Sequence, residues 1–166
     1  MSAADLVHEL GLEAHPEGGW YAEIFRSELK IKPEAFPGER NALTSIYFLL
    51  ESGQFSALHR IKSDEIWHFY EGGPLEVIEI DHSGVSKITL LGRNLKGGAV
   101  LCYTVKAGNW FGSRPAPGTE YSLVGCTVAP GFDFEDFEMP DQEWFLTEFP
   151  GQSELIMQIT RPGQND

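Results

Sequence analysis

Two side chains that can exchange protons near neutral pH, His59 and Glu65, lie close together in the middle of the chain. An imidazole titrates near working pH, and a carboxyl group in apolar surroundings has a raised pKa, so either can serve as a general acid or base. The pair therefore predicts proton-transfer chemistry on a small molecule. The alternatives are a histidine that only lines a cavity and a carboxylate that pairs with a buried arginine or tyrosine.

Four further side chains are candidates for substrate contact. The indole rings of Trp67 and Trp110 could form flat walls on which a sugar or a base stacks. The guanidinium of Arg26 could hold a phosphate or a carboxylate. Core packing is the alternative for each tryptophan, and a structural salt bridge is the alternative for Arg26. For Tyr103 the sequence leaves pocket and core equally open.

The stretch 132–137 alternates aromatic and acidic residues. It could fold over the mouth of a cavity as a lid, with Asp133 reaching inward. The alternative is a loop that its phenylalanine rings pin against the outside of a sheet. We assign no chemistry to His15, which lies in a turn-rich segment near the amino terminus.

The elements that must position these residues are short apolar runs separated by turn-forming residues. Their spacing, with no helical pattern between them, is typical of an antiparallel sandwich or barrel. Alternation of side chains turns both His59 and Glu65 inward, and we expect a turn at 62–64 to pair their strands. Such small barrels enclose one ligand. The predicted strands cover residues 43–50, 55–61, 65–70, 75–80, 86–91, 99–105 and 121–128.

The ends of the chain have helical patterns instead. We expect one short helix over residues 3–10 and two more over 142–148 and 154–160, the last capped by Ser153. Residues 30–40 are expected to form a surface loop. The length fits a single domain, 1–166, whose barrel core spans about 41–129.

Composition narrows the range of partners. The formal net charge of −13 disfavours nucleic acid and anionic membrane surfaces. The two cysteines, Cys102 and Cys126, are too few for a disulfide scaffold. The first twelve residues lack the apolar core of a signal peptide, and no apolar run is long enough for a membrane helix. We therefore expect a reduced, cytoplasmic protein whose partner is a small polar metabolite.

The segment from Gly53 to Gly72 resembles the first motif of the cupin superfamily, in which glycine, two histidines, glutamate and a second glycine follow at fixed spacing. His59 and Glu65 match that motif, and Ile61 stands at the second histidine. Three further stretches, 15–27, 63–70 and 123–134, resemble the cupin_5 family, whose function is largely unassigned. The resemblance implies an all-β, cupin-type antiparallel barrel, or jelly roll, that assembles as a homodimer.

The second cupin motif is altered here: Lys106 replaces its proline and Phe111 its histidine. Of the four usual metal ligands, only His59 and Glu65 remain. Since three protein ligands are the common minimum for a catalytic metal, we expect no tightly bound cofactor. A loosely held, hydrated divalent metal on those two residues is the alternative.

Three functions follow, in order of preference. The first is an isomerase or epimerase that acts on a sugar phosphate or nucleotide-linked sugar without a tightly bound metal, with His59 and Glu65 as catalytic residues. The second is a non-catalytic cupin that binds or senses a metabolite, a reading favoured by the missing ligands at Ile61 and Phe111. The third is a metal-dependent dioxygenase.

Overall fold

The computed structural model describes residues 1–163, which form twelve β-strands and three α-helices. The helices are α1 (Ala3–Glu9), α2 (Gln142–Glu148) and α3 (Ser153–Ile159). The strands are β1 (Glu13–Ala14), β2 (Trp20–Arg26), β3 (Lys30–Ile31), β4 (Arg40–Asn41), β5 (Thr44–Glu51), β6 (Ser56–His59), β7 (Asp64–Gly72), β8 (Leu75–Ile80), β9 (Ser86–Leu91), β10 (Cys102–Val105), β11 (Trp110–Pro115) and β12 (Tyr121–Ala129).

The strands form two main antiparallel sheets that face each other. The larger sheet has the order β1-β2-β5-β12-β7-β10, the smaller has the order β6-β11-β8-β9, and β3 and β4 form a separate pair. This arrangement confirms the predicted all-β jelly roll. The expected closure into a barrel is wrong, because the two sheets remain separate hydrogen-bonded units in the part of the chain that is described.

Alternation along the strands gives each sheet an apolar inner face, and these faces form the central core. Buried side chains of the larger sheet, such as Phe48 and Trp67, pack there with Val77 and Phe111 of the smaller one. The outer face of each sheet is covered by helices. Leu6 of α1 packs on the larger sheet, and Phe145 of α2 packs on the smaller one.

The helices begin where the sequence predicts, with one difference in capping. Ser2 and Asp5 form a reciprocal capping box at α1, and the Asp141 carboxylate accepts the Trp144 N–H at the start of α2, with an N–O distance of 2.9 Å. Ser153 was expected to cap α3 from outside, but it is the first helical residue, because a turn of 3₁₀ helix over Pro150–Gln152 leads directly into α3.

The strand predictions differ from the structure mainly around the candidate residues. Neither β2 nor β11 was among the seven predicted strands. The turn at 62–64 does not pair β6 with β7: β6 pairs with β11, and β7 pairs with β12 and β10. The chain crosses from the smaller sheet to the larger one between these strands. His59 and Glu65 therefore approach each other across the space between the sheets.

No helix within residues 1–163 combines the length and the apolar character that a membrane crossing requires.

Candidate active site

A cavity of about 240 Å³ lies between the two sheets at the end where β6 and β7 carry His59 and Glu65. Its inner end is formed by buried titratable groups, and its mouth is formed by exposed residues such as Arg26 and Phe134. The residues that line it are His15, Glu17, Tyr21, Glu23, Arg26, Thr44, Ile46, His59, Glu65, Cys126, Val128, Phe132, Asp133 and Phe134.

Both nitrogens of the buried His59 imidazole face oxygen acceptors. Nδ1 lies 2.7 Å from the carbonyl oxygen of Ala57, and Nε2 lies 3.0 Å from Oε2 of Glu17. A carbonyl oxygen can only accept, so Nδ1 donates its hydrogen there. The second proton is then shared between Nε2 and the Glu17 carboxylate, which makes the two residues a buried, hydrogen-bonded ion pair.

Glu17 reaches His59 from the turn between β1 and β2. The turn needs glycine at position 18, where φ is 112° and a Cβ would fall 2.2 Å from the Phe55 carbonyl oxygen. The close approach lets the Ala57 N–H donate to the Glu17 carbonyl at 2.8 Å. The Arg161 guanidinium donates to the same carbonyl at 3.0 Å. The turn is thus held at the edge of β6 with the Glu17 side chain directed at His59.

The environment shifts the pKa values of this pair in opposite directions. Burial is the largest single influence on the pKa of each group and opposes its charged form, but the attraction and hydrogen bond between them, together with smaller contributions from neighbouring groups, outweigh it. The Glu17 carboxylate raises the pKa of His59 above its usual value of 6.5. The His59 imidazolium lowers the pKa of Glu17 below its usual value of 4.5. Both shifts favour the charged forms of the pair.

Glu65 faces the same cavity from β7 in a different electrostatic state. Burial in apolar surroundings raises the pKa of Glu65 from 4.5 to about 7, and repulsion from Glu17 adds to this against the attraction of His59. Its hydrogen-bond partner is the Cys126 thiol, which is a weak donor. Protonated and ionised Glu65 are thus both populated near pH 7, as proton transfer in both directions requires.

His15 adds a neutral group to the inner end of the cavity. Its Nδ1 accepts the backbone N–H of Glu17 at 3.2 Å, so its hydrogen is on Nε2. Burial lowers the pKa of His15 more than the Glu17 carboxylate raises it. The ring packs edge-on against Tyr21, with 4.5 Å between the ring centres. His15, to which we assigned no chemistry, lines the candidate site.

The segment 132–137 lies at the mouth of the cavity and is fixed there by polar contacts. The Thr44 hydroxyl accepts the Phe132 N–H at 2.9 Å, and Arg26 donates to the Phe132 carbonyl at 3.1 Å. Asp136 forms a buried salt bridge with Arg40, with an N–O distance of 2.7 Å. Asp133 lines the cavity and accepts the Glu135 N–H, as the cap of a 3₁₀ turn. Residues 132–137 therefore lie over the mouth of the cavity, and these hydrogen bonds and the salt bridge hold them in place.

The aromatic candidates lie outside the cavity. Trp67 is in the central core, packed edge-on against Phe48 and Phe111. Tyr103 donates a short hydrogen bond to Glu79, away from the residues that line the cavity. Trp110 lies under the carboxyl-terminal helices, 5.0 Å from Phe145 between ring centres. We therefore correct the placement of all three: Trp110 points outward because its neighbour Phe111 points inward at His59, and strand neighbours alternate.

Arg26, by contrast, lines the mouth of the cavity, but its guanidinium already has partners. It donates to both carboxylate oxygens of Glu23, at 2.9 and 2.7 Å, and to the Asn41 side chain at 3.0 Å. The structural salt bridge that was the alternative for Arg26 is therefore present.

Glu17 is the main site residue that the sequence did not reveal. It lies 42 positions before His59, so no strand alternation relates the two. The available signal was the two glycines that follow it, which permit the chain to pass close to another strand. Cys126 and Tyr21 were also missed as lining residues.

The metal ligands implied by the cupin resemblance do not fit this cavity. Ile61 and Phe111 are buried hydrophobic residues in the central core, at the positions where two ligands would be needed. Both nitrogens of His59 are directed at oxygen acceptors, so neither presents a free lone pair. Within residues 1–163, no three His, Cys, Asp or Glu side chains are grouped as a metal site. We derive no step through a metal.

Comparison with known proteins agrees with the fold. A family model described as "Cupin superfamily (DUF985)" matches residues 4–140. The structure is similar to that of protein SO0799 from Shewanella oneidensis, with a TM-score of 0.91 and 37% identity over 98% of this chain and 99% of that one. The uncharacterized protein YML079W of Saccharomyces cerevisiae is 28% identical over 147 residues, which are 81% of this chain and 73% of the relative.

A more distant likeness concerns the architecture alone. Oxalate decarboxylase from Bacillus subtilis superposes with a TM-score of 0.56 and 17% identity, over 91% of this chain and 37% of that one. At this identity the match shows a shared fold and carries no activity. The family match covers most of the sequence and agrees with the jelly roll described above. The chain belongs to the Cupin_5 family of the cupin superfamily.

Proposed function

We propose that this cupin is an isomerase or epimerase that moves a proton on a small polar carbonyl compound of the sugar class, without a tightly bound metal. The observation that carries the proposal is the pairing of two proton-transfer groups across one buried cavity. Glu65, with a pKa of about 7, projects from one sheet, and the His59–Glu17 ion pair projects from the other. A substrate between them would meet a base on one side and an acid on the other.

The proposed reaction begins with ionised Glu65, which takes a proton from the carbon next to the substrate carbonyl. Negative charge develops on the carbonyl oxygen, where the Nε2–H of His15 donates a hydrogen bond and the His59 imidazolium, bonded to Glu17, supplies positive charge. Protonated Glu65 then returns the proton to the neighbouring carbon in an isomerase. In an epimerase, His59 instead gives its Nε2 proton to the opposite face of the same carbon, Glu65 releases its own proton to solvent, and His59 takes up a proton again before the next turnover. Glu17 stabilises the His59 imidazolium before and after the step.

The experiment is solvent exchange. The purified protein is incubated in deuterated water with aldoses, ketoses, their phosphates and nucleotide-linked sugars, and incorporation at carbon is followed by NMR. We expect exchange with at least one compound that persists in excess chelator and falls by about 10²-fold or more in His59→Gln. Absence of exchange with every compound, or exchange that His59→Gln leaves unchanged, would contradict the proposal.

A second candidate function is binding without turnover, and Ile61 and Phe111 favour it because they replace two ligands of the cupin motif with buried hydrophobic residues. The same samples separate the two functions. Saturable binding of a compound whose carbon-bound hydrogens do not exchange would support the sensor.

We also propose that the protein is a homodimer, as the family resemblance implies. The free edge of the larger sheet supports this, because β1 pairs with only the first two residues of β2 and leaves Ile24 and Phe25 about half exposed. Light scattering of the purified protein is expected to give twice the mass of the chain, and a monomer at micromolar concentration would exclude the proposal.

A further inference from the structure

The cavity that the proposed function uses has more negative than positive groups. Its lining contains four carboxyl groups, on Glu17, Glu23, Glu65 and Asp133, against two cations, His59 and Arg26. His15 does not change this balance, because burial lowers its pKa. The lining of the cavity therefore contains more acidic than basic groups.

Both cations are already neutralised by a neighbouring carboxylate. His59 is paired with Glu17. Arg26 donates to both carboxylate oxygens of Glu23, to the Asn41 side chain and to the Phe132 carbonyl. Among the described residues that line the cavity, no cation is left to face an anionic ligand. A phosphate group would have to break one of these pairs to obtain a partner.

The acidic groups, in contrast, are incompletely paired. Glu65 has only 8% of its surface exposed, and within residues 1–163 no N–H or O–H group donates a hydrogen bond to its carboxyl group. Its hydrogen-bond partner there is the Cys126 thiol, a weak donor, while His59 and Glu17 act on it through their charges. A buried carboxyl group without a strong donor is unfavourable, and a ligand that supplies a donor would relieve this. Among the described residues, the Asp133 carboxylate at the mouth accepts a hydrogen bond only from the Glu135 N–H within its own turn.

Aromatic rings complete the surroundings of these carboxyl groups. Tyr21 and Phe132 line the cavity, and Phe134 extends the wall at the mouth with more than half of its surface exposed. Phe132 and Phe134 pack edge-to-face, with 4.9 Å between ring centres. Aromatic faces attract cations, and together with carboxylates they form the usual surroundings of a bound ammonium group.

We propose that the cavity selects a small polar molecule that carries an ammonium group, such as an amino sugar, and rejects phosphate esters. The inference rests on the proposed function for the location of the site and narrows its substrate class. It departs from the sugar phosphates and nucleotide-linked sugars that the sequence suggested, because the one arginine at the mouth is occupied by Glu23.

The test uses three probes with one carbon skeleton: glucosamine, glucose and glucose 6-phosphate. Binding to the full-length protein is followed by NMR shifts of the Ile46 and Val128 methyl groups, which line the cavity. We expect glucosamine to bind about tenfold more tightly than glucose, and glucose 6-phosphate to bind least. The inference is overturned if glucose 6-phosphate binds as tightly as glucosamine, or if glucosamine produces no saturable shift.

Two variants that change the charge at the mouth of the cavity test whether its charge sets the preference for glucosamine. Glu23→Gln releases the Arg26 guanidinium, and Asp133→Asn removes a negative charge while an asparagine can still cap the 3₁₀ turn. Both are expected to reduce the preference for glucosamine and to allow glucose 6-phosphate to bind. Glu154→Gln, on the exposed face of α3, removes the same charge far from the cavity and is expected to change neither affinity. Equal behaviour of all three variants would contradict the inference.

The outcome is independent of turnover. If the probes bind in the expected order but no carbon-bound hydrogen exchanges with any compound, the proton-transfer function fails and the charge selection stands. If exchange occurs with glucose 6-phosphate and not with glucosamine, the charge selection fails and proton transfer stands.

Discussion

Replacing Glu65 with glutamine is expected to stabilise the protein at pH 8 by about 3 kcal/mol while it removes proton exchange. In the folded protein the pKa of Glu65 is about 7, against 4.5 for the exposed group. Each pKa unit corresponds to about 1.4 kcal/mol, so ionising this buried carboxyl group at pH 8 costs about 3 kcal/mol. Glutamine has the shape of the protonated acid and never carries that charge.

The direction of the pH dependence follows from the raised pKa. Above pH 4.5 the unfolded chain releases the Glu65 proton while the folded chain retains it, so the free energy of unfolding falls between pH 4.5 and about pH 7. The gain in Glu65→Gln should be absent below pH 4.5, grow through this interval and level off above it. The contribution of His59, which is also lost as the pH rises, is present in both proteins and largely cancels in the difference.

Urea denaturation of both proteins between pH 4 and pH 9 measures the difference. Glu154→Gln serves as the control, since a substitution on an exposed helix face is expected to change stability by no more than about 0.5 kcal/mol. A Glu65→Gln protein that is less stable than the parent at pH 8 would mean that the carboxylate has a stabilising partner, and its proposed role as a base would fail.

Replacing Glu17 with glutamine is expected to cost about 3 kcal/mol at about pH 5.5 and to lower proton exchange about 10²-fold. The buried His59 imidazolium would lose its counter-charge, and burial would then lower the pKa of His59. The pH window follows from the two shifts. The contribution of Glu17 is present above pH 4.5 and is lost as the pH falls through its lowered pKa. The contribution of His59 is fully present below pH 6.5 and is lost as the pH rises through its raised pKa.

A double-mutant cycle isolates this interaction. Glu17→Gln, His59→Gln and the double variant are compared by urea denaturation, and the loss in the double variant should be well below the sum of the single losses. Arg60 and Glu138 provide a matched pair, since their N–O distance is 2.7 Å but both side chains are more than one-third exposed. Their cycle should give at most about 1 kcal/mol. Equal coupling in the two cycles would show that burial does not strengthen the His59–Glu17 pair.

The sequence predicted the site residues whose positions follow from local spacing and strand alternation. The motif and strand alternation brought His59 and Glu65 to one cavity, although their strands belong to different sheets. The same alternation could have placed Trp110 on the outer face once Phe111 was assigned inward. Trp67 faces inward as predicted, but the core fills the space around it. Inward direction alone does not distinguish a cavity wall from packed core.

Glu17 could not be predicted in this way, because its contact with His59 depends on where a distant turn meets β6. Nor could the sequence show how fully Arg26 is occupied: its carboxylate partner Glu23 lies three positions earlier, but its other partners, Asn41 and Phe132, come from distant parts of the chain. The strands and helices of the fold could be predicted from short hydrophobic patterns along the chain. The charge balance of the cavity depended on contacts between residues many positions apart.

The hydrogen bond from Arg161 to the turn that carries Glu17 has a practical consequence. Its guanidinium joins the Glu17 and Phe55 carbonyl oxygens from just beyond α3, so both ends of the polypeptide help to aim one buried carboxylate. A shortened version that begins at β2 would omit Glu17, and one that ends with α3 would omit Arg161. Affinity tags are therefore best joined through flexible spacers that leave both terminal segments intact.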